Sequence, residues 1–498
     1  VNRTVRRISA LVVVLFLSLM ASTTALQFFQ RDELNTHPRN IRAVFAEYNN
    51  ARGPIVVDGV PVAESIPVDS PFGFQRVFGG GDPTRAAMYA PITGFFSISV
   101  GSSGIERGFN QYLNGRAPSL WVDRVHNMLT GQPDQGSSVE LTVNDALQRR
   151  AWELLDGQRG AIFAIDPRTG AILAMVTYPS YDPNLLAVLS TSQANTAYQE
   201  ALAAPHRPMY NRVLQSVFPP GSTYKMIVAA AALEAGIGAH QQVPAPHRMT
   251  LPGTAQVVRN FRDEACSATG YMSIHDAMVI SCNTAFMMLA GEVGVDALRD
   301  MSERFGFNES LRIPMIAAPS FFPGPGFENF GPDRLALAGM GQGDLNSTPL
   351  TMAMMAQVIA NDGVMMQPYL VQTIRDPQLE VVWEATPEEL RRVVSPAVAA
   401  DLQEMMTASV MQVAGGRTTG WRARVPGVEV AGKTGTAQTS PGEAPHVWFS
   451  GFAPAEDPTI AFVVMIENGG HLGMEATGGN LAAPIAAQLV RTHLGITE

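Results

Sequence analysis

Residues 8–30 carry no charge, whereas Arg3, Arg6 and Arg7 precede them and Arg31 and Asp32 follow. An uncharged run of this length can cross a bilayer as one helix. Arginines on its amino side orient that end toward the cytoplasm, leaving the rest of the chain outside. A cleaved signal peptide is the competing reading, with Thr23-Thr24-Ala25 as a small-residue processing site. The length of the run and its lack of a polar break favour an uncleaved anchor. The expectation is a single-pass cell-membrane protein whose folded part is extracytoplasmic. Val1 points to an alternative initiation codon.

Beyond the anchor the pattern changes twice. Residues 31–56 are polar and mixed, as suits a lead-in from the membrane. From about 57 to 140 short apolar runs are broken by Gly and Pro, as in Gly79-Gly80-Gly81-Asp82-Pro83. Such a pattern predicts short strands and loops with little helical period. A second unit opens near 140. The β-rich runs 160–165 and 171–176 flank Asp166-Pro167-Arg168-Thr169-Gly170, which predicts an antiparallel hairpin. Helical stretches then dominate from about 190 to 410, and strand-like runs return at 428–430, 447–452 and 460–466. Strands at both ends with helices between them predict an α+β domain whose sheet is closed by distant segments. The expected division is 1–30 for a cytoplasmic tail and anchor, 31–149 for a small β-rich pedestal or interaction module, and 150–498 for the main domain. The methionine-rich stretch from Met352 to Met366 reads as core packing rather than a cofactor site.

Composition narrows the classes further. With 46% hydrophobic and 16% charged residues, the chain is neither disordered nor collagen-like. A balance of 34 basic against 44 acidic residues argues against a nucleic-acid partner. Two cysteines cannot build a disulfide-dense scaffold or a four-cysteine zinc site, and no metal or cofactor is expected. The basic residues are arginine throughout except for Lys225 and Lys433. Arginine cannot release its proton near neutrality, whereas a lysine amine can. Either two lysines survive by chance, or each stands where an amine is needed.

Lys225 closes Phe218-Pro219-Pro220-Gly221-Ser222-Thr223-Tyr224-Lys225, ahead of an apolar run that ends at Gly236. Pro and Gly before Ser222 mark a helix start and Gly236 its end. Residues three apart share one helix face, which brings Lys225 beside Ser222. A serine hydroxyl is a poor nucleophile until a base takes its proton, and a neutral lysine can be that base. The positive end of the helix would favour an alkoxide at Ser222. Serine as a plain N-cap is the alternative.

Lys433 lies in Val428-Glu429-Val430-Ala431-Gly432-Lys433-Thr434-Gly435-Thr436. Residues 427–434 formally fit the phosphate-binding pattern G-x-x-x-x-G-K-[ST], but that loop needs a helix to follow. Gly435-Thr436-Ala437-Gln438-Thr439-Ser440-Pro441-Gly442 is no helix start. As a strand, Lys433 and Gly435 share a face, and the glycine admits a second backbone. Such a strand can take a peptide by edge pairing. Between the lysines, Ser281-Cys282-Asn283 separates two helical flanks, 273–280 and 284–290, as the turn of a helical hairpin. Its serine can relay a proton and its amide can hold a carbonyl, or it is an ordinary polar turn.

Ser-x-x-Lys, Ser-x-Asn and Lys-Thr-Gly in this order resemble the penicillin-recognising serine acyltransferases. Gly341-Gln342-Gly343 before Ser347-Thr348-Pro349, and His446-Val447-Trp448-Phe449-Ser450-Gly451-Phe452, are similar to segments of their transpeptidase domain. Upstream, Arg52-Gly53-Pro54-Ile55 with Asp58-Gly59 and Val62-Ala63 resembles class B penicillin-binding proteins. Tyr89-Ala90-Pro91-Ile92-Thr93-Gly94 looks like their actinobacterial, mycobacterial-type branch.

The resemblance implies an antiparallel sheet sandwiched by helices and a set of roles. Ser222 would be the nucleophile, Lys225 its general base, Ser281 a proton shuttle and Lys433 a source of positive field. Asn283 would bind the substrate amide, while Thr434, Gly435 and Thr436 would line the strand that holds the donor's carboxylate or that of a β-lactam. Backbone amides of Ser222 and Thr436 would form the oxyanion hole. The implied partners are peptidoglycan stem peptides, β-lactam antibiotics, a separate polytopic glycan polymerase, and divisome or elongation proteins. A D,D-carboxypeptidase or β-lactamase of the same fold, or a non-catalytic penicillin sensor, would carry related motifs. Cys266 and Cys282, as the only cysteines of an exported domain, can pair across about 15 residues for ~3 kcal/mol, or remain two buried thiols. His446, near Lys433 in sequence, reads as structural because Lys225 already fills the role of base.

Overall fold

Most of the charge-free run, with Arg3, Arg6 and Arg7 before it, folds as one helix, α1 (Asn2–Thr24), none of whose residues is buried. With the turn that follows it, the segment Asn2–Phe28 is long and apolar enough to cross a membrane. The structure, a computed structural model, describes residues 2–29, 48–120, 135–155, 157–311, 313–324, 330–412, 418–440 and 442–496. Val1, Arg31, Asp32 and most of the predicted lead-in lie outside the described residues.

Three strands follow, β1 (Ile55–Val57), β2 (Val60–Pro67) and β3 (Phe74–Phe78). The region after them is more helical than its pattern suggests. Gly79–Gly81 is a single 3-10 turn, and Asp82 then opens α2 (Pro83–Thr93) by accepting a hydrogen bond from Thr84 N. Aspartate at the N-cap and proline at the first helical position are both start signals, so the expected turn is the entrance to a helix.

The chain continues through β4 (Ser138–Leu141), α3 (Asp145–Leu154) and the predicted hairpin, β5 (Gly160–Ile165) with β6 (Ile172–Tyr178). Helices α4 (Lys225–Glu234), α5 (Ile274–Val279), α6 (Asn283–Val293) and α7 (Pro349–Ala360) come next. The helical stretch expected over 190–410 is interrupted between α4 and α5. There Gln242–Pro244 pairs with Tyr271–Ser273, and Arg248–Thr250 pairs with Val257–Arg259. Pro244, Pro246 and Pro252 forbid helix propagation through this excursion. Then come β7 (Val371–Arg375), β8 (Val381–Glu384), α8 (Pro396–Met411), β9 (Ala431–Ala437), β10 (His446–Ala453), β11 (Ile460–Ile466) and α9 (Ala483–His493). Strand β9 begins at Ala431 rather than at 428, because Val425 and Val428 bridge in a tight turn.

Two sheets organise these elements. The first has the order β8-β7-β4-β1-β2-β3, with β1 and β4 parallel and the other pairs antiparallel. Its β7 and β8 come from 371–384, far along the chain from the other four strands. The second is antiparallel throughout, in the order β9-β10-β11-β5-β6, so distant segments do close it.

Period-two alternation splits the second sheet between two apolar layers. Phe163, Met175, Trp448 and Val463 face the cluster that contains α4, α7 and α8. Ile162, Val176, Phe449 and Val464 face α3 and α9. Each such side chain, fully buried, contributes roughly 1.5–3 kcal/mol. The fold is therefore α+β, an antiparallel sheet between helical layers. Every residue of α7 is buried, which makes the first part of the methionine-rich stretch a core helix. Its one long polar side chain, Gln357, donates to Pro167 O at 2.7 Å and Val364 O at 3.1 Å.

Candidate active site

Gly221–Tyr224 forms a 3-10 turn that runs directly into α4, and the Lys225 amide donates to Ser222 O. At three residues per turn, positions 222 and 225 eclipse one another. Ser222 is half-buried, whereas Lys225 is fully buried. The turn is braced from behind. Gly221 N–H donates to Gly341 O at 2.9 Å, and Phe218 and Ser347 exchange two backbone hydrogen bonds. A Cβ at position 341 would lie 1.9 Å from Gly221 O, so the Gly341-Gln342-Gly343 segment must begin with glycine.

Strand β9 passes across the same turn. A Cβ on Gly435 would meet Pro220 O at 2.8 Å and Thr223 Cγ2 at 3.0 Å, which explains the glycine after Lys433-Thr434. In β9, Lys433 pairs with Ser450 and Gly435 with Trp448, and the strand occupies an outer position of the sheet. Its continuation as a strand excludes a phosphate-binding loop there.

The two lysines, remote in sequence, converge on one hydroxyl. Lys433 Nζ donates to Ser281 Oγ at 2.7 Å and Lys225 Nζ reaches the same atom at 3.2 Å. Lys225 also donates to Ser281 O and Asn283 Oδ1, both at 2.8 Å, and Lys433 to Thr434 O at 3.2 Å. Every one of these acceptors is neutral. Burial, then the positive charge of Lys433, hold Lys225 well below the ordinary lysine range. Burial lowers Lys433 to about 7.

Ser281 sits between α5 and α6 with φ of +59°, a left-handed conformation that costs of order 1–3 kcal/mol for a residue with a side chain. Asn283 is the first residue of α6. Cys282 between them is joined to Cys266 in a disulfide. The serine, cysteine and asparagine thus form the turn of a helical hairpin.

Thr434 Oγ1 donates to Thr419 Oγ1 at 2.8 Å, and Thr436 Oγ1 accepts from Gly478 N at 3.2 Å. With its hydroxyl oxygen engaged by an amide, Thr436 retains its own proton for an acceptor. His446 is buried one strand away. Its Nδ1 accepts from Asn468 N at 3.1 Å, and its ring lies 4.2 Å from that of Phe218. Burial lowers its pKa, so the ring is a neutral packing element.

Lys225, Ser281, Asn283 and Lys433 are thus joined by side-chain contacts. Ser222, Thr434, Gly435 and Thr436 border the same place through the turn and β9. Sequence reasoning missed Thr419, Gly478 and Asn260. Asn260 Oδ1 accepts from the amides of Asn283 and Thr284 at 3.1 and 3.0 Å. No local pattern marks such residues, since they act across tertiary contacts. A buried pair of amines beside a serine on a helix start can generate and hold an alkoxide.

Comparison with known proteins gives a consistent result. Residues 160–491 match the penicillin binding protein transpeptidase domain, and residues 52–139 match the penicillin binding protein A dimerisation domain. The peptidoglycan D,D-transpeptidase PbpA of Mycolicibacterium smegmatis is 38% identical, covering 99% of each chain. That of Mycobacterium tuberculosis is 37% identical over 99% of each. A solved structure of penicillin-binding protein A from M. tuberculosis, as its ceftriaxone acyl-enzyme complex, aligns with a TM-score of 0.84 at 37% identity. It covers 90% of this chain and all of the other.

Proposed function

The chain belongs to the penicillin-binding protein transpeptidase family, and from that premise we propose that it is a monofunctional peptidoglycan D,D-transpeptidase anchored by α1. One observation carries the reading. The only two lysines of the chain meet at Ser281 Oγ, and one of them, Lys225, follows Ser222 by one turn.

Ser222 attacks the D-Ala-D-Ala carbonyl while neutral Lys225 accepts its proton. The amides of Ser222 and Thr436 receive the oxyanion, each donor worth ~3–4 kcal/mol. Ser281 relays a proton to the departing D-alanine, under the field of protonated Lys433. Asn283 holds the substrate amide. Thr434 and Thr436 hold the terminal carboxylate on a strand kept open by Gly435. An amine of a second stem peptide then resolves the acyl-enzyme and completes the cross-link. β-Lactams enter by the same acylation, as the acyl-enzyme complexes of the M. tuberculosis relative illustrate.

The proposed division assigns 1–30 to tail and anchor, 31–149 to a pedestal module and 150–498 to the transpeptidase domain. The strands β7 and β8, which complete the pedestal's sheet, couple the last two. Arg3, Arg6 and Arg7, in the first turns of α1 ahead of its uncharged run, support a catalytic domain outside the cytoplasm. A separate polytopic polymerase supplies glycan strands, within division or elongation assemblies.

Intact-mass measurement after penicillin treatment, followed over hours, tests the reading. One stable adduct is expected, and none in Ser222→Ala. Labelling of Ser222→Ala would remove the nucleophile assignment, and rapid loss of the adduct would indicate a β-lactamase.

A further inference from the structure

Helix α6 begins without a cap of its own. Cys282 occupies the N-cap position and makes no side-chain cap hydrogen bond, and its sulfur, joined to Cys266, is a weak acceptor. The first amides of a helix nevertheless need acceptors. Asn260, in the excursion between α4 and α5, supplies one. Its Oδ1 accepts from Asn283 N at 3.1 Å, Thr284 N at 3.0 Å and Thr284 Oγ1 at 3.3 Å. Its Nδ2 donates to His247 O at 3.2 Å and Pro246 O at 3.4 Å. The side chain is buried, with both ends fixed.

The neighbouring residue completes the grip. Arg259 O accepts from Asn283 Nδ2 at 3.2 Å, leaving Asn283 Oδ1 aimed at Lys225 Nζ. One amide side chain therefore sets the backbone of Asn283, and the adjacent carbonyl sets the rotation of its carboxamide.

We propose that Asn260 is a positioning residue for acylation, its carboxamide oxygen acting as a remote N-cap that fixes Asn283 and Ser281 against Lys225. Asn260 touches no reacting atom and works entirely through that turn. The inference rests on the site assignment above.

The test uses the full-length, detergent-solubilised protein and penicillin, separating the saturated acylation rate k2 from the binding constant K. Asn260→Ala is expected to lower k2 by ~10²-fold, the effect of a small misplacement in a reacting geometry, while K changes by less than about threefold. Asn260→Asp, which keeps an oxygen acceptor, is expected to recover k2 to within about tenfold of the parent. It carries the test should Asn260→Ala fail to fold. A merely structural role would instead reduce the fraction of protein that labels while leaving k2 unchanged, and that result would overturn the proposal. Equal k2 in the alanine and aspartate variants would overturn it too. Labelling of Ser222→Ala would count against the site assignment itself, so the two failures are distinguishable.

Discussion

Two clusters of buried basic side chains in this molecule are held in opposite ways. In the region before 140, Arg52 and Arg76 clasp Glu106, with Nε–Oε contacts of 2.5 and 2.6 Å. Arg52 reaches Asn110 Oδ1 and Glu106 O as well, and its guanidinium lies 4.3 Å from the centre of the Phe96 ring. Burial pushes the Glu106 carboxyl up, but Arg76 and Arg52 together hold it below its usual value. In the pocket, Lys225 and Lys433 donate to neutral oxygen atoms, and Lys225 Nζ also lies 5.6 Å from the centre of the Phe286 ring. The first cluster shares one carboxylate between two guanidinium groups, with Arg76 Nη2 left unpaired among the described residues, whereas the second leaves a base unable to keep its proton. A fold gains a fixed junction from one arrangement and reactivity from the other.

Exchanging the two outcomes gives the largest expected effects. Lys225→Met should lower penicillin acylation by ~10³–10⁴-fold, the scale of a lost general base. Its melting temperature should equal or exceed the parent's, since a buried ionisable group is removed. Glu106→Ala should do the reverse. Leaving two buried guanidinium groups without their carboxylate costs about 3–5 kcal/mol, while the protein that remains folded should acylate at the parent rate. Thermal melts read beside acylation kinetics check both, and a stable Glu106→Ala would show that the clasp is dispensable.

The two clusters also differ in how far they could be read from the chain. The lysines stood out because arginine fills every other basic position, and their motifs carried the pocket. Four strands of the second sheet were legible as β-rich apolar runs although their partners are far away, whereas β9, Ala-Gly-Lys-Thr-Gly-Thr-Ala, carries no such run. Arg52, Arg76 and Glu106 gave no such signal, since an isolated charge reads as surface until tertiary contacts bury it. The same holds for β7 and β8 joining a sheet begun at residue 55, because cross-strand pairing leaves no local mark. Helix α2 differs. Asp82-Pro83 announced it, but the glycines just before drew attention to a turn.

Proton uptake offers a second way to sharpen the contrast. Lys225 should take up a proton only well below its ordinary range, so acylation falls on the acid side. Lys433 should lose its proton near 7 in the free enzyme, which sets an alkaline limb in k2/K. A ligand carboxylate beside Lys433 favours its charged form, moving that limb upward in saturated k2. Stability follows a different sign. Between the lowered folded value and the ordinary lysine range, the unfolded chain binds more protons, so Lys433 makes stability rise with pH from about 7 to about 10.4. Glu106, with its folded value depressed, contributes above the ordinary carboxylate range and loses its contribution as pH falls through the folded value. Lys433→Met should remove its own share of the alkaline rise and leave the share of Lys225, whose folded value is also lowered, measurable by melting temperature across pH.

The smallest effect concerns the rim of the pocket, where a neutral contact does the positioning. Thr434 donates to Thr419, and a Cβ on Gly479 would lie 2.4 Å from Thr419 O, so the threonine is held from both sides. Thr419→Val preserves shape and removes only the acceptor. It should cost about 1 kcal/mol, the net worth of one hydrogen bond, seen as roughly fivefold weaker K for penicillin. Saturated k2 should change little if Thr434 serves as the proposed carboxylate contact, which is made alike in the bound complex and the transition state. Thr434 would then be free to swing, but Lys433, anchored to Ser281 Oγ and Thr434 O, would not. If Thr419→Val instead reduced k2 and left K intact, the threonine pair would belong with the two amines as part of the reacting constellation rather than with its binding rim.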